Sequence, residues 1–177
     1  MIPIQTIKQD LPHFPDAVIE DWIQVYANSE GWPPYLDGDG VPMGRWRYLL
    51  GMRPLSYWQS LTWSLEERSL DLEELSAGEL DKISGLMRAI ILKEPNMYAD
   101  IGNSDERITR IVAHVRETGR LPKAPTLVQM DDGLSIVDGN HRMVTYFYLR
   151  GRAEANDSKS VPIDKIQRFW IGRSPAI

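Results

Sequence analysis

The spacing of apolar positions divides the chain into a front part of helical periods and a back part that turns to strands. Ile2–Ile7 alternates apolar and polar residues and predicts a short strand. Pro15 and Asp16 then open a helix to about Asn28, with Val18, Ile19, Trp22, Val25 and Tyr26 on one face. Residues 30–45 hold Gly31, Pro33, Pro34, Gly38, Gly40, Pro42 and Gly44, a density of breakers that predicts loop. Pro54 starts a helix to about Glu67 whose stripe is Trp58, Leu61 and Leu65. Ser76 and Glu79 form a capping box before Leu80, Ile83, Met87, Ile90 and Ile91, a helix that must stop before Pro95. Ser104 caps another, with Asp105 and Glu106 in its first turn, Ile108, Ile111, Val112 and Val115 facing inward, and Gly119 as its C′ residue.

After Pro125 the period shortens to two. Thr126–Met130 and Leu134–Val137 read as strands joined by an Asp132-Gly133 turn. His141–Arg150 reads as a helix closed by Gly151, and Val161–Ile171 as a last strand interrupted near Pro162. The order strand, helices, hairpin, helix, strand predicts an α+β fold with a helical insertion, in one domain spanning residues 1–177.

Composition narrows the chemistry. No cysteine is present, which removes disulfides, thiolate metal sites and cysteine nucleophiles. Met1–Asp10 lacks the pattern of a signal peptide and the longest apolar run, Ala89–Leu92, is far too short to span a bilayer, so the expectation is a soluble cytoplasmic protein without membrane insertion. The formal net charge is −5, divided between −8 in residues 1–100 and +3 in residues 101–177. Contact with nucleic acid would therefore have to be local. The run Glu66–Asp81 carries seven acids and one arginine, which suits a solvated face or, secondarily, a basic protein partner.

One junction breaks a local rule. Helix N-termini favour acids, yet the helix after Gly139 opens with His141 and Arg142. A docked anion would explain the cations: backbone N–H groups, the helix dipole and a guanidinium would converge on one phosphate. Gly139 would permit close backbone approach, and Asp138 or Asn140 would cap the helix. The plainer alternative is a strand-to-helix turn whose cations pair with nearby acids.

Other candidates read as structural. Asp37-Gly-Asp39-Gly begins like a calcium loop, but Val41, Pro42 and Tyr48 break the pattern and leave a turn. Asp131 and Asp132 suit the hairpin turn. His13, His114 and His141 have no ligand spacing, and His114 reads as a packed or surface residue. Trp46, Tyr48, Tyr57, Trp58 and Trp63 crowd together. They suit a core joining the helical part to the sheet, with an aromatic groove for adenine or single-stranded bases, beside Arg45 and Arg47, as the alternative.

The segment Leu127–Leu149, LVQMDDGLSIVDGNHRMVTYFYL, resembles the core of the ParB/sulfiredoxin-like superfamily. There a β-hairpin runs into a glycine-containing loop and a helix, with Gly-Glu-Arg-Arg or Gly-Cys-His-Arg where this chain has Gly139-Asn140-His141-Arg142. The resemblance covers roughly residues 104–171, with 2–7 as the first strand and 15–100 as an added helical lobe. It implies that Gly139, Asn140, His141 and Arg142 bind the phosphates of ATP or CTP, or touch DNA. It also implies that His141, Arg142 and Asp138 act in catalysis, with Asp138 holding Mg2+ or orienting water. Asn140 stands where sulfiredoxins carry cysteine, which excludes sulfinic-acid reduction, and where ParB-like proteins carry glutamate, which puts clamp behaviour in doubt. The size and the helical front half also resemble the plasmid fertility-inhibition, or oncogenic-suppression, branch, which implies ATPase and DNase activity and a block on conjugative transfer. The expected function is a nucleotide-binding hydrolase. The alternatives are a non-catalytic, nucleotide-switched module that engages a protein through its acidic lobe, and a small-molecule kinase.

Overall fold

The computed structural model describes residues 1–99 and 102–175. Asp100, the last residue of the expected helical lobe, lies outside them. The chain is α+β. Its helices are α1 (Ile4–Asp10), α2 (Asp16–Val18), α3 (Gln24–Glu30), α4 (Arg45–Leu49), α5 (Leu55–Ser60), α6 (Ala77–Ile90), α7 (Ser104–Thr118) and α8 (Asn140–Glu154). A π-helical segment, Ile19–Ile23, joins α2 to α3. The strands β1 (Thr62–Arg68), β2 (Thr126–Met130), β3 (Gly133–Asp138) and β4 (Gln167–Arg173) form one mixed sheet in the order β1-β4-β2-β3.

Two expectations fail at the front. Residues 2–7 are not a strand: Ile4–Asp10 is helical, with Pro3 just ahead of it. Ile7 and Leu11 are fully buried, so the operative spacing runs Ile4, Ile7, Leu11, a helical stripe that the shorter alternation conceals. The helix expected from Pro54 to Glu67 ends at Ser60, and residues 62–68 are strand β1. The region 15–100 is therefore not wholly helical. Leu61 is buried, but Leu65 is 44% exposed rather than part of a core stripe. β1 is an edge strand, and its Glu66, Glu67 and Arg68 are the charged residues that keep edges from pairing with other chains.

By backbone contacts the chain forms two compact units, Met1–Ser64 with Trp170–Ile177, and Leu65–Phe169. The first is built around aromatic side chains. Trp22 and Trp58 are buried and meet edge to face at 5.3 Å, Phe14 meets Trp63 at 4.8 Å, and Trp32 meets Trp46 at 5.1 Å. Of the aromatic residues expected in a core, Trp46 and Trp58 are buried, Tyr57 and Trp63 are half-buried and Tyr48 is 76% exposed. The Asp37 motif is a turn: its carboxylate accepts the N–H groups of Val41 and Asp39, chiefly the former, and these bonds hold it below the usual carboxylate range.

The second unit holds the hairpin, α6, α7 and α8. The expected hairpin forms, with Met130 opposite Gly133 and Thr126 opposite Asp138, but its turn is Asp131-Asp132 rather than Asp132-Gly133, because Gly133 is already the first residue of β3. Asp131 and Asp132 are exposed in its turn. α8 runs on through Gly151 to Glu154, past the expected stop, since that glycine holds an ordinary helical conformation. Its inner face is Met143, Val144, Tyr146, Phe147 and Leu149, all buried. The Tyr146 hydroxyl accepts the Leu70 N–H at 3.1 Å and donates to the Lys165 carbonyl at 2.9 Å, which ties α8 to the segments leaving β1 and entering β4. Arg150, also buried, donates to the Leu70 carbonyl and pairs with Asp71 at 2.9 Å and Glu154 at 3.0 Å. The acidic run is consequently not a bare face. Glu66 and Glu74 pair with Arg68, Glu67 with Arg120, Asp71 with Arg150, and Glu79 with Lys82.

Candidate functional site: the openings of two helices

β3 ends at Asp138, and the chain enters α8 through Gly139 at φ +95°. A positive φ there suits glycine, and it turns the backbone from strand to helix in one residue. The Gly139 carbonyl accepts the first helical bond, from Met143. Gly139 itself holds the N-cap position of α8, in place of Asp138 or Asn140. The Asn140 amide oxygen is buried with no hydrogen-bond partner among the described residues. So is the hydroxyl of Thr126, which stands opposite Asp138 in the hairpin.

Arg142 is not the uncompensated cation that its position suggested. Its Nη2 donates to Asp138 Oδ2 at 2.5 Å, and its Nη1 donates to the Ala124 carbonyl at 3.3 Å. The side chain is only 13% exposed. Residues four apart face each other on a helix, so Asp138, just ahead of α8, reaches Arg142 across one turn. The protein's own carboxylate thus fills the role the sequence reading gave to an anionic ligand.

His141 points elsewhere. Its Nε2 lies 3.0 Å from the hydroxyl oxygen of Ser104, the first residue of α7. Ser104 was expected to cap that helix. Asn103 occupies the cap position instead, in a left-handed conformation, and the serine hydroxyl meets the imidazole. The starts of two 15-residue helices therefore lie within one hydrogen bond of each other. Burial holds the His141 imidazole below the ordinary histidine pKa, and the Arg107 guanidinium, one turn into α7, pushes it further the same way. Arg107 itself forms no ion pair among the described residues. Sequence reasoning missed Ser104 and Arg107 as partners of His141, because nothing in a separation of 37 residues reports the contact.

A second basic feature lies nearby on the chain. Arg120, Lys123 and Arg168 line a small concavity with Leu121, Ala124 and Gln167. Its volume of about 20 Å3 has room for little more than a water, so a ligand there could seat one oxygen-rich group but not a base. Gln167 fixes its floor, accepting the Leu121 N–H at 2.9 Å and donating to the carbonyls of Asp164 and Gly119. Ala124 belongs both to this lining and to the Arg142 contact.

The residues offer a resident metal little. Among the described residues no three His, Asp or Glu side chains are grouped to hold a cation, and Asp138 is engaged by Arg142. His13 is exposed, and His114 is half-buried on α7. Among the described residues no helix is long and apolar enough to cross a membrane.

Comparison with protein-family models, with curated proteins and with solved structures found no match in any of the three.

Proposed function

We propose that the unit Leu65–Phe169 binds a phosphate-bearing ligand where α7 and α8 begin, and that it hydrolyses a nucleoside triphosphate there, with ATP and CTP the first candidates. Arg107 carries the reading. It is a guanidinium without a carboxylate partner among the described residues, close enough to His141 to oppose its protonation, at the start of two helices. Helix starts bring free N–H groups and positive partial charge, and a guanidinium adds a fork that matches phosphate oxygens. The neutral imidazole of His141 is then a base rather than a second clamp. Arg142 keeps its residence in the motif but acts on Asp138, holding the β3–α8 junction in shape.

The ParB/sulfiredoxin-like resemblance of Leu127–Leu149 supports the same reading. Since residues 4–10 are helical, the first strand of such a fold would be β1. A magnesium ion would arrive with the nucleotide, whose phosphates supply most of its ligands, rather than occupy a protein cage. DNA is a further candidate, held by its backbone beside Arg168 at the concavity that Arg120 and Lys123 also line, with Arg120 exchanging its contacts with Glu67 and Asp164 for a phosphate.

Calorimetric titration of ATP, CTP and a short DNA duplex into the protein and its Arg107→Ala variant tests the proposal. Nucleotide binding weakened about tenfold or more in the variant is the expected result. Absence of nucleotide binding, or equal affinity in the two proteins, would overturn it.

A further inference from the structure

From the Ser104–His141 contact we infer that Ser104 is a nucleophile, activated by His141, that takes a phosphoryl group from the bound nucleotide before water does; this rests on the phosphate reading above. With the ring proton on Nδ1, His141 Nε2 accepts from the Ser104 hydroxyl across their 3.0 Å separation. That is the arrangement by which a serine, weak as a nucleophile alone, is made to attack. The hydroxyl belongs to the first residue of α7, so its attack would develop beside the free N–H groups of that helix. Arg107 stands on the same helix, one turn further on.

The chemistry closes without a further reagent. Ser104 Oγ forms a bond to the γ-phosphorus as the bond from that phosphorus to the bridging oxygen breaks. The hydroxyl proton passes to His141 Nε2, and the nucleoside diphosphate leaves with the electron pair. Once the imidazolium has given its proton to solvent, His141 accepts a proton from water as the water oxygen attacks the phosphoserine phosphorus. The phosphorus–Oγ bond then breaks, and the same proton returns to Oγ. The sum is nucleoside triphosphate and water giving diphosphate and inorganic phosphate. A hydroxyl that merely joined α7 to α8 would never carry phosphate, so the covalent adduct separates a chemical role from a structural one.

The test uses the full chain, with Ser104→Ala and His141→Gln variants beside it. Each is mixed with γ-labelled ATP, quenched in acid within one turnover, and mapped by mass spectrometry. Phosphate on Ser104 in the parent protein is expected, together with its loss in Ser104→Ala and slowed appearance in His141→Gln. Calorimetry on the variants checks that ATP still binds. Turnover without phosphate on Ser104, or an undiminished rate in Ser104→Ala, would overturn the inference and leave the phosphate reading standing. A fluorophosphonate probe, which needs no nucleotide site, separates the remaining cases. Labelling of Ser104 that depends on His141 but occurs in a protein that binds no ATP would keep the activated serine and overturn its nucleotide substrate. No labelling in a protein that does bind ATP would remove the serine's role alone, and no labelling without ATP binding would remove both.

Discussion

Arg142 and Asp138 face each other at 2.5 Å across the turn that leads from β3 into α8. Both are largely withdrawn from solvent, with side chains 13% and 21% exposed. Such a pair is screened less than a surface ion pair, and removing one member takes this charge compensation from the other in a low-dielectric setting. Arg142→Ala should therefore lower stability by about 1–3 kcal/mol. Urea unfolding is the measurement, and the Asp138→Ala and double variants complete a cycle that isolates the pair. The same substitution should leave nucleotide affinity far less affected than Arg107→Ala. A larger loss of affinity from Arg142→Ala would return the anion site to the junction itself.

Much of the back half was legible because its signals are local. Asp132-Gly133 announces a hairpin whatever surrounds it, and Ser76 with Glu79 marks the start of α6, where the serine hydroxyl accepts the Glu79 N–H at 3.4 Å. The other half of that capping box does not form, since Glu79 turns instead to Ser135 and Lys82. The front half was misread where one short pattern fits two periods. Ile2, Ile4 and Ile7 suit a strand until Leu11 is counted with them, and β1, as a charged edge strand, carries little alternation to find. At the site, the Asp138–Arg142 spacing is an ion-pair signal in its own right. It belongs to the plainer of the two readings of this junction, in which the first-turn cations pair with nearby acids, and for Arg142 that reading is the one the structure takes. The meeting of Ser104 and His141 depends on how two helices pack and has no local signature.

Tyr146→Phe removes a single oxygen at a fully buried position. That oxygen accepts from the Leu70 N–H and from Arg150 Nη1, each at 3.1 Å, and donates to the Lys165 carbonyl. The ring still fills its space, so the loss is polar: a buried backbone N–H without its acceptor and a guanidinium with one contact fewer. The expected cost is about 1–3 kcal/mol, read as a lower midpoint in thermal or urea unfolding. A neutral result would mean that Leu70 and Lys165 find other partners.

Gly133 and Gly139 both hold positive φ, at +139° and +95°, but their surroundings differ. A Cβ on Gly133 would lie 2.7 Å from the Ser76 backbone nitrogen and 2.8 Å from the Leu75 carbonyl carbon. On Gly139 it would meet the end of the Arg142 side chain at 3.0 Å, which can shift at the expense of its hydrogen bonds. Gly133→Ala should therefore be the more damaging, by about 1 kcal/mol or more over the roughly 1 kcal/mol of backbone strain the two share. Comparing unfolding midpoints of the two variants checks the order. Equal midpoints would mean that the hairpin turn moves away from Ser76 without penalty.

The His141 imidazole carries a sign that can be tested by pH. Its pKa in the folded chain lies below the ordinary 6.5, first because burial disfavours the charged ring and then because Arg107 repels it. In the unfolded chain the ring regains the ordinary value, so at pH well above 6.5 both states are neutral and His141 makes no pH-dependent contribution. As pH falls below 6.5, the unfolded chain binds a proton first and folding loses stability until the folded ring protonates as well. His141→Gln should flatten the slope of stability against pH in that window and leave it unchanged above. Proton NMR of the ring should give its midpoint directly, lower than in a denatured reference, and Arg107→Ala should move that midpoint upward. A midpoint at or above the denatured value would remove the physical basis for treating His141 as a neutral base facing Ser104.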